Sequence, residues 1–233
     1  MIKAVIFDID NTLYDFDKVH RTGMNALDVY MKENFDIESE QTEDLVKKCM
    51  GIIAERTGDT AAQHNRLLRF QCVLEQLGST DYQKAMEMYH VYWDTVIEEM
   101  EPEPGLISLL ERLKKRGIRL GIGSDMTAYI QYRKLKKMGV LQYMDFLVMS
   151  EEAGAEKPTR RFFELCLEKA GCAPVECVFI GDSLKKDVIG AAECGLTGTW
   201  YNPKNREAKE AAGYPVITSF EDYLRGEEQE GDR

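Results

Sequence analysis

Long apolar runs are missing from these 233 residues: none approaches the roughly 20 residues that a bilayer-spanning helix needs. Positive charge is also in short supply, with 30 Lys and Arg against 41 Asp and Glu and a formal charge of −11. That balance speaks against a broad electrostatic grip on a nucleic acid polymer or an anionic membrane, both of which need clustered cations. Cys49, Cys72, Cys166, Cys172, Cys177 and Cys194 contain no C-x-x-C pair, and Asp8 and Asp10 arrive before a signal-peptide apolar stretch can form. The cysteines therefore read as reduced, mostly buried thiols of a cytoplasmic protein, expected as a monomer or weak homodimer. What is present is ordinary folding material: 44% hydrophobic residues over a length that allows one large domain or two modest ones.

Lys3-Ala4-Val5-Ile6-Phe7 is short, β-branched and nearly all apolar, as a strand buried on both faces of a parallel sheet should be. From Phe16 to about Glu99 no strand pattern occurs, and apolar residues recur at three- and four-residue steps, as at Met24, Leu27, Tyr30 and Met31. Turn residues at Asn34 to Asp36, Gly58-Asp59 and Gly78-Ser79 divide this stretch into about four helices. After the linker Glu101-Pro102-Glu103-Pro104-Gly105, strand and helix alternate. Strands are predicted at Arg119 to Gly123, Phe146 to Met149, Cys177 to Ile180 and Gly198 to Tyr201, and helices at Leu106 to Lys115, Ala128 to Met138, Arg161 to Ala170 and Leu184 to Glu193. The fold class is thus α/β: a Rossmann-like parallel sheet flanked by helices, built from residues 1–15 and 100–233, with an inserted four-helix bundle over 16–99. The charged end, Gly226 to Arg233, reads as a frayed tail.

In an open parallel sheet ligands bind beyond the carboxyl ends of the strands. Those positions hold Asp8 and Asp10, then Ser124 and Asp125, then Lys157-Pro158, then Gly181-Asp182 with Asp187 further on. Taken singly each is as well explained as a helix cap or turn residue. Four carboxylates at one sheet edge repel one another unless a cation is bound, and hard oxygen ligands without histidine or cysteine point to Mg²⁺.

Asp8-Ile9-Asp10-Asn11-Thr12-Leu13, Ser124, Lys157-Pro158 and Gly181-Asp182 with Asp187 resemble, in order and spacing, the four motifs of the haloacid-dehalogenase-like hydrolase superfamily. The helical insertion resembles the cap of the subgroup that contains small-molecule phosphatases, nucleotidases and β-phosphoglucomutase. The resemblance implies a phosphatase acting on a small phosphorylated metabolite, with Asp8 as nucleophile and Asp10 as acid and base. It further implies Mg²⁺ held by the Asp8 carboxylate, the Asp10 carbonyl and Asp182, with Asp187 supporting the metal or orienting Lys157. Asn11, Ser124, Asp125 and Lys157 would face the phosphoryl group. Asp125 departs from the family pattern, where asparagine is common, and because a carboxylate repels phosphate it is expected to be the weaker of these contacts, turned toward its own helix N-terminus.

Within the insertion, His20, Arg21, Arg66, Arg69, Tyr89 and Trp93 are chemically able to contact a ligand, although the spacing predicts Tyr89 and Trp93 as packing residues and the arginines as solvated. Gly198-Thr199-Trp200-Tyr201-Asn202-Pro203 resembles members acting on nucleotides and N-acylneuraminate phosphates. A phosphomutase of the β-phosphoglucomutase type and a non-catalytic binding module on the same fold stay open. A phosphonatase would need a cap lysine, for which Lys18 is placed only by location. A dehalogenase would need neither the acid at Asp10 nor a metal.

Overall fold

The computed structural model describes residues 1–223, so the tail from Gly226 to Arg233 lies outside the described residues. Two compact units are present, one made of Met1–Asp15 and the chain from Glu101 onward, the other of Phe16–Met100. Met100 falls with the helices, one residue past the boundary expected from sequence, because it is buried and its amide bonds the Ile97 carbonyl.

The chain opens with β1 (Ala4–Phe7), all four residues fully buried. The helical unit follows as α1 (Phe16–Phe35), α2 (Ser39–Thr57), α3 (Arg66–Gln76) and α4 (Gln83–Glu98). Side chains start two of these helices. The Glu38 amide donates to Gln41 Oε1 at 3.2 Å, and Asn65 Oδ1 accepts from Leu67 N at 2.9 Å, satisfying N–H groups that a helix leaves unpaired. Helix α1 meets α4 at Gly23, where a Cβ would come within 3.1 Å of the Tyr92 ring, so the absent side chain sets the closeness of the two backbones. Trp93 is buried as expected, but Arg66 and Arg69 are not solvated. They are 9% and 4% exposed, Arg66 being drawn in over the faces of Tyr92 and Trp93.

Alternation resumes with α5 (Leu106–Lys115), β2 (Arg119–Ser124), α6 (Ala128–Lys137), β3 (Phe146–Met149), α7 (Ser150–Ala153), α8 (Arg160–Ala170) and β4 (Cys177–Gly181). In place of one helix over Leu184 to Glu193, a π-helical turn (Leu184–Ile189) precedes a single turn, α9 (Gly190–Glu193). Then come β5 (Thr197–Tyr201) and β6 (Val216–Ile217), the latter too short to carry a strand signal in sequence. All pairings are parallel, in the order β3-β2-β1-β4-β5-β6. Ala4, Ile6, Cys177 and Phe179 share a core with Phe162, Phe163 and Cys166 of α8, while Phe7, of opposite parity, meets Phe220. Each fully buried side chain of this size contributes roughly 1.5–3 kcal/mol. Where the chain leaves and re-enters this unit it is tied to itself: Glu103 N donates to Leu13 O at 2.8 Å, and the Tyr201 hydroxyl donates to Glu103 Oε2 at 2.9 Å.

Candidate active site

Strand order reverses direction across β1 and β4, and register aligns Phe7 with both Ile122 and Ile180, so the end of β1 sits between β2, which runs two residues further, and β4, which runs one. This is the crevice that an open parallel sheet offers to a ligand. Asp8 follows β1 directly, and its amide donates to Ile180 O at 2.9 Å. Asn11 then takes φ 58°, a left-handed conformation that asparagine tolerates, and Thr12 and Leu13 bond back to the Ile9 carbonyl. The turn brings the buried Thr12 hydroxyl to the Asp182 amide, 3.0 Å away, which fixes the first loop against the fourth.

Lys157 sits at the centre. Its Nζ lies 2.6 Å from Asp8 Oδ1, 2.7 Å from Asp187 Oδ1 and 3.2 Å from the Gly123 carbonyl, and the residue is 4% exposed. Burial would lower its basicity, but Asp187, Asp8 and Asp125 more than offset that and hold it a firm cation, well above its ordinary range. Gly181 makes room for the Asp187 carboxyl, which a Cβ would overlap, and Asp187 Oδ2 accepts from Ser183 N at 2.9 Å. The geometry is compatible with both roles the resemblance left open for Asp187: it pairs with Lys157, and its carboxylate lies beside those of Asp8 and Asp182.

Asp8, Asp182 and Asp187 each offer a carboxylate oxygen within 4.8 Å of the other two. Burial, with Asp187 and Asp10 adding to it against the pull of Lys157, pushes the Asp8 carboxyl up to about 7. Burial and the charge of Asp8, opposed by Arg206, bring Asp182 to about 6. Three carboxylates against the Lys157 ammonium and the half-exposed Arg206 guanidinium still leave an excess of negative charge on oxygen donors alone, and that donor set fits a hard divalent cation such as Mg²⁺.

Asp10 belongs to a different neighbourhood. Its carboxylate pairs with Lys134 Nζ at 2.6 Å, accepts from Gln131 Nε2 at 3.2 Å and is bonded by the Tyr14 hydroxyl. Burial would raise it, yet Lys134, with Tyr14 and Gln131, holds it below the usual carboxylate range. Gln131 also donates to Ser124 Oγ at 2.8 Å. Sequence reading missed both Lys134 and Gln131. The signal was there: Ile130, Gln131, Lys134 and Leu135 are the buried positions of α6, so two polar residues occupy an apolar register.

Asp125 requires a correction. It does not turn toward its own helix; Oδ1 accepts from Lys157 N at 2.9 Å and Oδ2 pairs with Lys186 Nζ at 2.8 Å. The helix end it was expected to cap is served by Glu151, which accepts from Ala128 N at 2.7 Å. The Gly198 to Pro203 segment and the residues just after it act as a brace: Trp200 Nε1 and Arg206 Nη2 each donate to the Asp182 carbonyl at 2.9 Å.

Residues 2–195 match the profile of the family described as haloacid dehalogenase-like hydrolase. The ribulose-1,5-bisphosphate 5-phosphatase of Halopiger xanaduensis is 34% identical over 91% of this chain and 90% of its own. The glyceraldehyde 3-phosphate phosphatase of Methanothermobacter thermautotrophicus is 32% identical over 90% and 89%. Among solved structures, a HAD phosphatase from Thermococcus onnurineus superposes with a TM-score of 0.73 at 26% identity, covering 96% of this chain and 97% of that one. With the four motifs meeting at one sheet edge, and a family profile and relatives that span the chain, the protein is a member of the haloacid dehalogenase-like hydrolase family.

Proposed function

We propose that the protein is a Mg²⁺-dependent phosphatase of small phosphomonoesters, working through an aspartyl-phosphate on Asp8. The observation that carries this reading is the placement of Lys157 Nζ 2.6 Å from Asp8 Oδ1 beside the Asp8, Asp182 and Asp187 carboxylate cluster. A dianionic ester and an anionic nucleophile repel, so attack needs local positive charge. Mg²⁺ held by Asp8, Asp182 and the Asp10 carbonyl, with Asp187 behind them, would supply the larger share of it.

An Asp8 oxygen attacks phosphorus as the bond to the leaving oxygen breaks, while Lys157 and the Ser124 hydroxyl take up charge on the phosphoryl oxygens. Asp10 donates a proton to the leaving oxygen and then receives one from the water that attacks the aspartyl-phosphate, releasing inorganic phosphate and restoring Asp8. Lys134 keeps Asp10 in its base form in the free enzyme, so the proton it gives to the leaving oxygen is one taken up from solvent with the substrate, whose arriving dianion raises the Asp10 carboxyl. The similarity to phosphatases of ribulose bisphosphate and glyceraldehyde 3-phosphate favours phosphosugars as the substrate class, ahead of the nucleotides that the Gly198 to Pro203 segment brings to mind.

The test is release of inorganic phosphate from an aryl phosphate and from a panel of phosphosugars and nucleoside monophosphates. Activity should require Mg²⁺, vanish on chelation, and fall by at least about a thousandfold in Asp8→Asn. Turnover by Asp8→Asn at a wild-type rate would remove Asp8 from the nucleophile's role.

A further inference from the structure

Within the helical unit, α1, α2 and α3 contribute to the wall of a cavity of about 790 Å³ that plays no part in the chemistry above. Lys18, Arg21, Lys47 and Arg69 bring four cations to it, against Asp28 and Glu43. Two of these residues have buried polar atoms with unmet hydrogen-bonding capacity. Arg69, 4% exposed, reaches the Gln63 carbonyl at 3.4 Å, and its buried Nε–H has no acceptor among the described residues. Asp28 accepts from the Ser39 hydroxyl through Oδ2, while its buried Oδ1 has no donor among the described residues.

Arg66 precedes Arg69 by one turn of α3 and is itself 9% exposed. It lies over the Tyr92 and Trp93 rings at 5.2 and 5.7 Å and pairs with no carboxylate among the described residues. A guanidinium cannot shed its proton to escape burial, so two of them side by side, neither paired with a carboxylate among the described residues, form a standing excess of positive charge. His20, on the same cavity wall and held by the Tyr92 hydroxyl at 2.6 Å, registers that charge. Burial, Arg66 and Arg69, with Arg21 adding to them and Asp17 opposing, push its imidazole down to about 4.

We propose that this cavity binds a small metabolite bearing an oxyanion and a hydrogen-bond donor, its phosphate or carboxylate group on Arg69 and its hydroxyl or ammonium on Asp28. The charges supply the reason: an anion offsets Arg66 and Arg69, and a donor meets the spare Asp28 oxygen. This site does not depend on the roles given to Asp8 or Lys157.

The test follows the His20 imidazole by NMR in the full chain without Mg²⁺, its signal identified by its loss in His20→Asn. Inorganic phosphate and glycolate serve as probes, each carrying an anionic oxygen and an O–H, and their relative potency separates phosphate from carboxylate ligands. One or both should shift the signal saturably at millimolar concentration and raise the His20 pKa by about one unit or more. Lys157→Met should leave that response intact. Arg69→Met should abolish it, and Asp28→Asn, which keeps the volume and serves if Arg69→Met fails to fold, should weaken it about tenfold. Absence of any shift up to ~50 mM of either probe, a response unchanged in the Arg69 and Asp28 variants, or one lost in Lys157→Met would overturn the proposal.

Discussion

Asp125 accepts the Lys157 amide with one oxygen and faces Lys186 with the other, so a full negative charge sits close to the group that must attract phosphate. Lys186 makes that tolerable. Its basicity is raised because Asp125 and Glu156 outweigh its burial. Removing the lysine alone leaves the carboxylate uncompensated, whereas asparagine keeps the acceptor for the Lys157 amide without the charge. Lys186 is 41% exposed, so solvent screens part of the effect, and Lys186→Met is expected to raise KM for an aryl phosphate about tenfold, near 1.4 kcal/mol. The double variant with Asp125→Asn should return to within about threefold of wild type. Steady-state kinetics decides this, and simple addition of the two single effects would sink it.

His20 carries a second residue-scale consequence. Folding lowers its pKa from 6.5 to about 4, so between those values the unfolded chain binds the proton and the folded one does not. The stability that this residue contributes is therefore full above pH 6.5 and drains away as pH falls toward 4. The ring is only partly buried, which halves the full-burial figure to about 1–2 kcal/mol. Urea unfolding at both ends of that window should show His20→Asn losing less stability than wild type by this amount; parallel losses would contradict the assignment.

Among the elements, the π-helical turn between β4 and β5 is the one that periodicity misread. Leu184 to Glu193 has an ordinary helical pattern, and nothing in residue type announces the wider turn. Its positioning depends on a contact distant in sequence: Gly198 of β5 lies so close to the Val188 backbone that a Cβ would come within 2.8 Å of its Cα. Gly198→Ala must push the turn away, and Asp187 with it. Overpacking against backbone, which cannot rotate aside, is expected to cost about 2–3 kcal/mol, read as a lower melting temperature together with weaker phosphate release. An unchanged melting temperature would show that the turn has slack. The longer of the remaining elements were legible because each carries its own period. β1 is four apolar residues in a row, and α5 buries Leu106, Leu109, Leu110 and Leu113 on a single stripe. α7 and β6 were not, since four residues and two have no period to show, and the pairing of β6 to Trp200 and Tyr201 is a tertiary fact.

At the scale of the whole molecule, the same distinction runs through the site. Asp8, Lys157, Asp182 and Asp187 stood out because chemistry-bearing residues at strand ends are informative wherever the sheet is parallel. Lys134, Gln131 and Lys186 were passed over, the first two despite their apolar register, and Arg66 and Arg69, though named as able to contact a ligand, were expected in solvent, because a polar residue on a helix looks solvated until the packing around it is known. The bond between Glu103 and Leu13 has a bearing on the gene as much as on the protein. The chain departs and returns through neighbouring backbone groups, so the eighty-five residues from Phe16 to Met100 occupy what is, for the rest of the polypeptide, a single hairpin-sized gap. A few small polar residues could bridge it, and an insertion attached in this way can be lost, exchanged or diversified without re-threading the sheet that carries Asp8.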